Sequence, residues 1–304
     1  MGTLNSELRI TQIMKMNKWN ERTSRRAFLH GSTAIAGGML IGCGEGAKTE
    51  GGSAGADTGG GGDGFAKIFD GETLTGWHVN PEKIGHGTGG NWQVEDGSIT
   101  GEQDPPGSGN GGILLTDEHY GDFELSIDIK PDWGVCSGLF LRSNDKGQCW
   151  QMMVDYHDKG NVGHIYGEGS GAFSARPFDV NGVYEGEGDA KKLVGLVSAD
   201  QEGYEPSSVV STCSGAEFIK TWKLNDWNTV KVRCVGEYPK ITTSINGTRI
   251  VEFDGATAEM AKYDKDKVKD LLGVKGSVAV QVHGGKTWPV GGKCRWKNIA
   301  VKAL

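Results

Sequence analysis

A period of two runs through this chain and limits what it can fold into. In Asp122-Phe-Glu-Leu-Ser-Ile-Asp-Ile-Lys130, Phe123, Leu125, Ile127 and Ile129 alternate with Glu124, Ser126 and Asp128. Successive side chains of an extended segment point to opposite faces, so this reads as a strand with one buried side. Similar strands are read at 138–142, 228–235, 240–245, 248–253, 276–283 and 295–302. Asn246-Gly247 and Asp96-Gly97 are tight hairpin turns. Glycine supplies 51 of the 304 residues, enough to turn about a dozen short strands. With no alternation of helix and strand, residues 65–304 are expected to form a single all-β, antiparallel jelly-roll β-sandwich. Residues 169–222 read as a long irregular insertion, and a short helix is expected within 256–272.

The first 64 residues read as an address and a tether. Thr23-Ser24-Arg25-Arg26-Ala27-Phe28-Leu29 has the form of a twin-arginine export signal, and an apolar run over 33–41 follows. Leu40-Ile41-Gly42-Cys43 has the form of a lipobox, which predicts cleavage before Cys43 and acylation of that cysteine. Residues 44–64 are Gly-rich with almost nothing apolar, as in a flexible tether. The expected location is the bacterial cell envelope, with membrane contact only through the N-terminal lipid anchor. A formal charge of -7 disfavours nucleic acid as a partner, because binding phosphate needs a basic face. The other cysteines, Cys136, Cys149, Cys213, Cys234 and Cys294, are odd in number and show no zinc-type spacing. In a hairpin turning at 144–147, Cys136 faces Asp155 and Cys149 faces Arg142, so these two are poor disulfide partners.

The densest chemistry lies in 148–168. Parity puts Trp150, Met152, Val154 and Tyr156 on one face of a strand and Gln151, Met153 and Asp155 on the other. His157, His164, Tyr166 and Glu168 follow on a Gly-interrupted connection, the last three spaced to share one side of an extended segment. By the same parity Gly138, Phe140 and Arg142 share a face, as do Ala279, Gln281 and His283.

Several stretches in order carry a family resemblance. They are Ile68-Phe-Asp-Gly-Glu-Thr-Leu-Thr-Gly-Trp77, Asn91-Trp-Gln-Val-Glu-Asp-Gly97, Thr116-Asp-Glu-His-Tyr-Gly-Asp-Phe-Glu-Leu125 and Ser137-Gly-Leu-Phe-Leu-Arg142. Asp226-Trp-Asn228 through Asn246-Gly247 comes next, and Gln281-Val-His-Gly-Gly-Lys286 with Arg295-Trp-Lys-Asn-Ile-Ala-Val301 closes the series. From about Phe65 to Leu304 the chain resembles the 3-keto-disaccharide hydrolase domain family. The resemblance implies a concanavalin A-like jelly roll that cleaves glycosides already oxidised to a ketone at carbon 3. The chain departs from it at Gln151-Met152-Met153, where Glu-x-Gln is expected.

A ketone at carbon 3 acidifies the hydrogen on carbon 2. A base removes that proton, the group on carbon 1 leaves, and water adds back. Such a site needs a base, a stabiliser of the enolate oxygen and an acid. It does not need the paired carboxylates of ordinary glycosidases. His283 or His157 is the candidate base, Arg142 or Lys286 the enolate stabiliser, and Gln281 and Gln151 the sugar binders. Asp155 or Glu168 would orient a histidine or hold a divalent cation; Tyr166 and His164 are further contacts. No organic cofactor is expected. A structural alternative for Arg142 is an ion pair with Asp155 or Glu124. Glu124 and Asp128 lack the third acid of a laminarinase-type strand and read as surface residues. The competing function is a non-catalytic glycan-binding, lectin-like module, with Trp77, Trp133 and Trp288 as aromatic platforms.

Overall fold

In the computed structural model of the chain, the described residues are 63–82 and 85–304. The export signal, Cys43 and all but the last two residues of the tether lie outside them. Among the described residues no helix is long and apolar enough to cross a membrane.

Two antiparallel sheets face each other as a jelly-roll sandwich. The first orders the strands Ser211–Thr212, Thr248–Asp254, Lys240–Ile245, Asn228–Val235, Phe123–Pro131, Cys294–Ala303, Ser98–Glu102 and Asn91–Glu95, with Ala66–Lys67 also on Cys294–Ala303. The second orders Ser174–Ala175, Asn161–Glu168, Cys149–Tyr156, Val135–Ser143, Gly276–Val282, Gly112–Tyr120 and Trp77–Val79.

Alternation decides what lies between them. Phe123, Leu125, Ile127 and Ile129 of the first sheet are fully buried in one core with Trp150, Met152, Val154 and Tyr156 of the second. The Trp150 ring lies 5.5 Å from that of Phe253, across the two sheets. Each such side chain contributes about 1.5–3 kcal/mol by leaving water. Glu124 and Asp128 take the other side of the first sheet. Asp128 accepts from Thr229 and Asn298, and Glu124 lies 3.4 Å from Arg233.

Three expectations are corrected. Arg142 leaves the face of Gly138 and Phe140, because its own backbone takes φ +51° and ends the alternation. Its guanidinium is fully buried, donating to the carbonyls of Gly121 (2.9 Å) and Gly236 (2.8 Å) and to Asp122 Oδ1 (2.8 Å). It pairs with neither Asp155 nor Glu124. His164 does not share a side with Tyr166 and Glu168. A register shift opposite Met152–Val154 inserts an extra residue, as a β-bulge does. The imidazole is instead buried between Asn161 Oδ1 (2.9 Å) and Thr212 Oγ1 (3.1 Å), the latter on a strand of the first sheet. Burial pushes its pKa down to about 3, so it stays neutral.

The 169–222 segment is ordered, not irregular. Phe178–Glu185 and Lys192–Asp200 form a separate hairpin, and Gly215–Thr221 is a helix with a Ser214/Glu217 capping box. Gly182 and Gly195 interrupt the hairpin's alternation, which hides it from a period-two search. The expected helix in 256–272 is Lys265–Leu272, capped by Asp264. The five described cysteines are free, and Cys136 stands directly opposite Asp155.

Candidate active site

The face of the second sheet turned away from the core carries a cavity of about 220 Å³. Cys136, Gln151, Met153, Asp155, Tyr166, Glu168, Ser174, Arg176 and His283 line it. Register explains how residues so far apart in sequence meet. Cys136 pairs with Asp155 and Gly138 with Met153, while Gln151 pairs with Tyr166 and Cys149 with Glu168. The His283 amide donates to the Cys136 carbonyl at 3.3 Å, which places His283 just past the end of the Gly276–Val282 strand and beside the cavity.

Gly138 is the gap that lets the amides meet. Gln151 Nε2 donates to Gln281 Oε1 at 3.1 Å, and a Cβ on Gly138 would lie 2.0 Å from that nitrogen. Gly138→Ala therefore turns Gln151 out of its pair while barely straining the backbone. The expected result is a loss of about 1 kcal/mol of substrate binding, roughly a fivefold rise in KM, with a melting temperature close to that of the parent. Steady-state kinetics and thermal melting measure both.

A second histidine joins the site from the loop after the Trp77–Val79 strand. His86 is buried, with Nε2 3.1 Å from Glu168 Oε1 and its ring 4.3 Å from that of His283, edge to face. Glycines allow this approach. A Cβ on Gly284 would lie 2.6 Å from the His86 carbonyl oxygen, so the two backbones touch. His86 was not a candidate from sequence; the visible signal was its place in Gly85-His86-Gly87, where small neighbours permit close packing.

Electrostatics differ from residue to residue. Burial pulls the His283 pKa below its ordinary value, and the adjacent His86 adds to the effect. Its Nδ1 contacts the Gly284 carbonyl. A carbonyl only accepts, so Nδ1 carries the hydrogen and Nε2 holds the lone pair. Burial raises the Asp155 pKa, against the lowering effect of the Cys136 thiol, which donates to Oδ1 at 3.0 Å. Burial, then the Glu168 carboxylate, raises the Tyr166 pKa, so the phenol keeps its proton at neutral pH. Arg176 is held by Asp179 Oδ1 (2.7 Å) and the Lys159 carbonyl (2.6 Å).

Of the candidates from sequence, the structure brings together His283, Asp155, Glu168, Gln151 and Tyr166 around the cavity, with Gln281 behind Gln151. His157 sits beside this group with Nδ1 on the Asp158 carbonyl at 2.9 Å. Lys286 is exposed and does not line the cavity. Arg142 and His164 lie elsewhere in the fold, buried among their own partners. Among the described residues the cation lining the cavity is Arg176, from the segment that sequence left unassigned. Two of the three tryptophans considered as platforms are buried: Trp77 and Trp288 donate to the Ile68 and Gly292 carbonyls. Trp133 is half-buried, edge-on to Tyr156 and donating to the Tyr184 hydroxyl.

Fold and cavity together define a jelly-roll sandwich with a polar site built on the outward face of one sheet. The chain belongs to the family of 3-keto-alpha-glucoside-1,2-lyase-like domains, whose model matches residues 64–302. Membership makes it a glycan-acting domain of hydrolase or lyase type. Among solved structures it is similar to a "putative glycosyl hydrolase" from Parabacteroides distasonis, at 17% identity over 79% of this chain and 94% of that one, with a TM-score of 0.44. A second such structure from that organism has 19% identity over 76% and 94%, also at 0.44. The carbohydrate binding module CBM66 from Bacillus subtilis has 10% identity over 75% and 96%, at 0.37. No curated protein matches the chain.

Proposed function

We propose that this protein cleaves 3-keto-glycosides by removing the proton on carbon 2, expelling the group on carbon 1 and then adding water. The observation that carries the proposal is His283: a neutral imidazole at the cavity whose Nδ1 is committed to a carbonyl, leaving Nε2 as a base. The electrons of the broken C–H bond pass into an enolate on the carbon 3 oxygen. Arg176 supplies the positive charge that this oxygen needs in a partly enclosed site. Tyr166, protonated at neutral pH, donates to the departing oxygen, and the Gln151–Gln281 pair holds a sugar hydroxyl. The cavity of about 220 Å³ is smaller than a typical drug-sized pocket and suits one sugar ring rather than a chain. The Arg25-Arg26 and Leu40–Cys43 motifs support a place for this reaction outside the cytoplasm, with the protein held by lipid at Cys43.

Two outcomes test this together. The protein should turn over a 3-keto-glucoside and leave the unoxidised parent glycoside intact. The base must be neutral to act, and its pKa is depressed, so activity holds as pH falls through the ordinary imidazole value of 6.5 and is lost only below it. An acid limb of kcat/KM above 6.5, or equal cleavage of the parent glycoside, contradicts the proposal.

A further inference from the structure

We infer a divalent metal site of the zinc class formed by Cys136, Asp155 and His157 at the wall of the cavity. One donor atom from each residue lies within 4.8 Å of the other two. The convergence is set by the backbone. Cys136 and Asp155 are directly opposed across two neighbouring strands, and His157 comes two residues after Asp155. The His157 ring is oriented by a contact of Nδ1 with the Asp158 carbonyl, which puts the hydrogen on Nδ1 and the lone pair on Nε2. Metal-ligating histidines are commonly fixed by such a partner on the other nitrogen.

The donor set selects the ion. Thiolate, imidazole and carboxylate together suit zinc-like ions and are unsuited to magnesium or calcium. Bonds of about 2.0–2.3 Å require only that the three side chains close in. Binding releases one proton: the ion takes the place of the Cys136 proton that now bridges to Asp155, that proton leaves to water, and the site gains one net positive charge. Thiolate and carboxylate then supply two negative charges beside Arg176, which lines the same cavity. Three protein ligands leave a fourth position open, the pattern of catalytic rather than structural zinc sites. If the proposed reaction holds, that position is available to the carbon 3 oxygen.

Cobalt(II) titration of the full-length, chelator-treated chain tests the site without reference to turnover. The expected result is one equivalent of cobalt bound, with visible d–d bands and a near-ultraviolet thiolate-to-cobalt band. Cys136→Ser abolishes the thiolate band, His157→Ala weakens binding by more than about 10-fold, and Cys213→Ser changes neither. No thiolate band, or a band that survives Cys136→Ser, overturns the site. The two proposals fail separately. Turnover by metal-free protein with no cobalt band leaves the reaction standing and removes the metal. A cobalt band without turnover of 3-keto substrates keeps the metal and removes the reaction.

Discussion

His283→Ala should lower kcat on a 3-keto-glucoside by about 10²–10⁴-fold, the usual contribution of a positioned general base. The fold should persist. Among the described residues the side chain makes one hydrogen bond, to the Gly284 carbonyl, whose loss costs about 1 kcal/mol. The neighbouring histidines provide the control. His157 lies next to Asp155 but does not line the cavity, so His157→Ala in metal-free protein should leave the acid limb of the pH profile where it was. His86 touches the His283 ring and Glu168, and acts on the base through its neighbours. Its removal relieves one of the causes that hold the His283 pKa down. Undiminished turnover by His283→Ala would remove it as the base. Absence of turnover in the parent protein, with glycan binding retained, would favour the lectin-like alternative.

Arg142→Met should cost about 3 kcal/mol of folding stability and leave kcat per folded molecule unchanged. The side chain is fully buried and ties two loop carbonyls and Asp122 together. Removing one partner of a buried ion pair costs about 3–5 kcal/mol. The lower end applies because Asp122 is 42% exposed and water can reclaim its carboxylate. Urea unfolding monitored by tryptophan fluorescence measures the first effect, and active-site-normalised kinetics the second. A stable fold with collapsed activity would return Arg142 to the catalytic machinery.

That residue also marks where sequence stops being informative. Alternation in 122–130 and 149–156 gave the buried faces correctly, because each strand there has one apolar side and no bulge. It placed Gln151 and Asp155 on the outward face, where His283 joins them at the cavity from just past the end of the Gly276–Val282 strand, two strands over, with Gln281 behind Gln151. Parity failed at Arg142, whose positive φ breaks the alternation near the end of the Val135–Ser143 strand and is not a property of arginine. It failed again at His164, because one extra residue opposite Met152–Val154 shifts the alternation of that strand. His86 was missed for another reason. It reaches the site through contact of glycine backbones far apart in the chain, and no periodicity reports such contact. Arg176 was hidden in a segment whose glycines mask its strands.

The most direct measurement tracks the hydrogen on carbon 2. A 3-keto-glucoside carrying deuterium at carbon 2 is incubated with the protein in ordinary water, and the recovered sugar is analysed by mass spectrometry and NMR. Elimination predicts that the deuterium is lost to solvent, with a primary isotope effect on kcat/KM wherever proton removal limits the rate, and that His283→Ala abolishes the loss. Cleavage with the deuterium fully retained at carbon 2 would contradict the account.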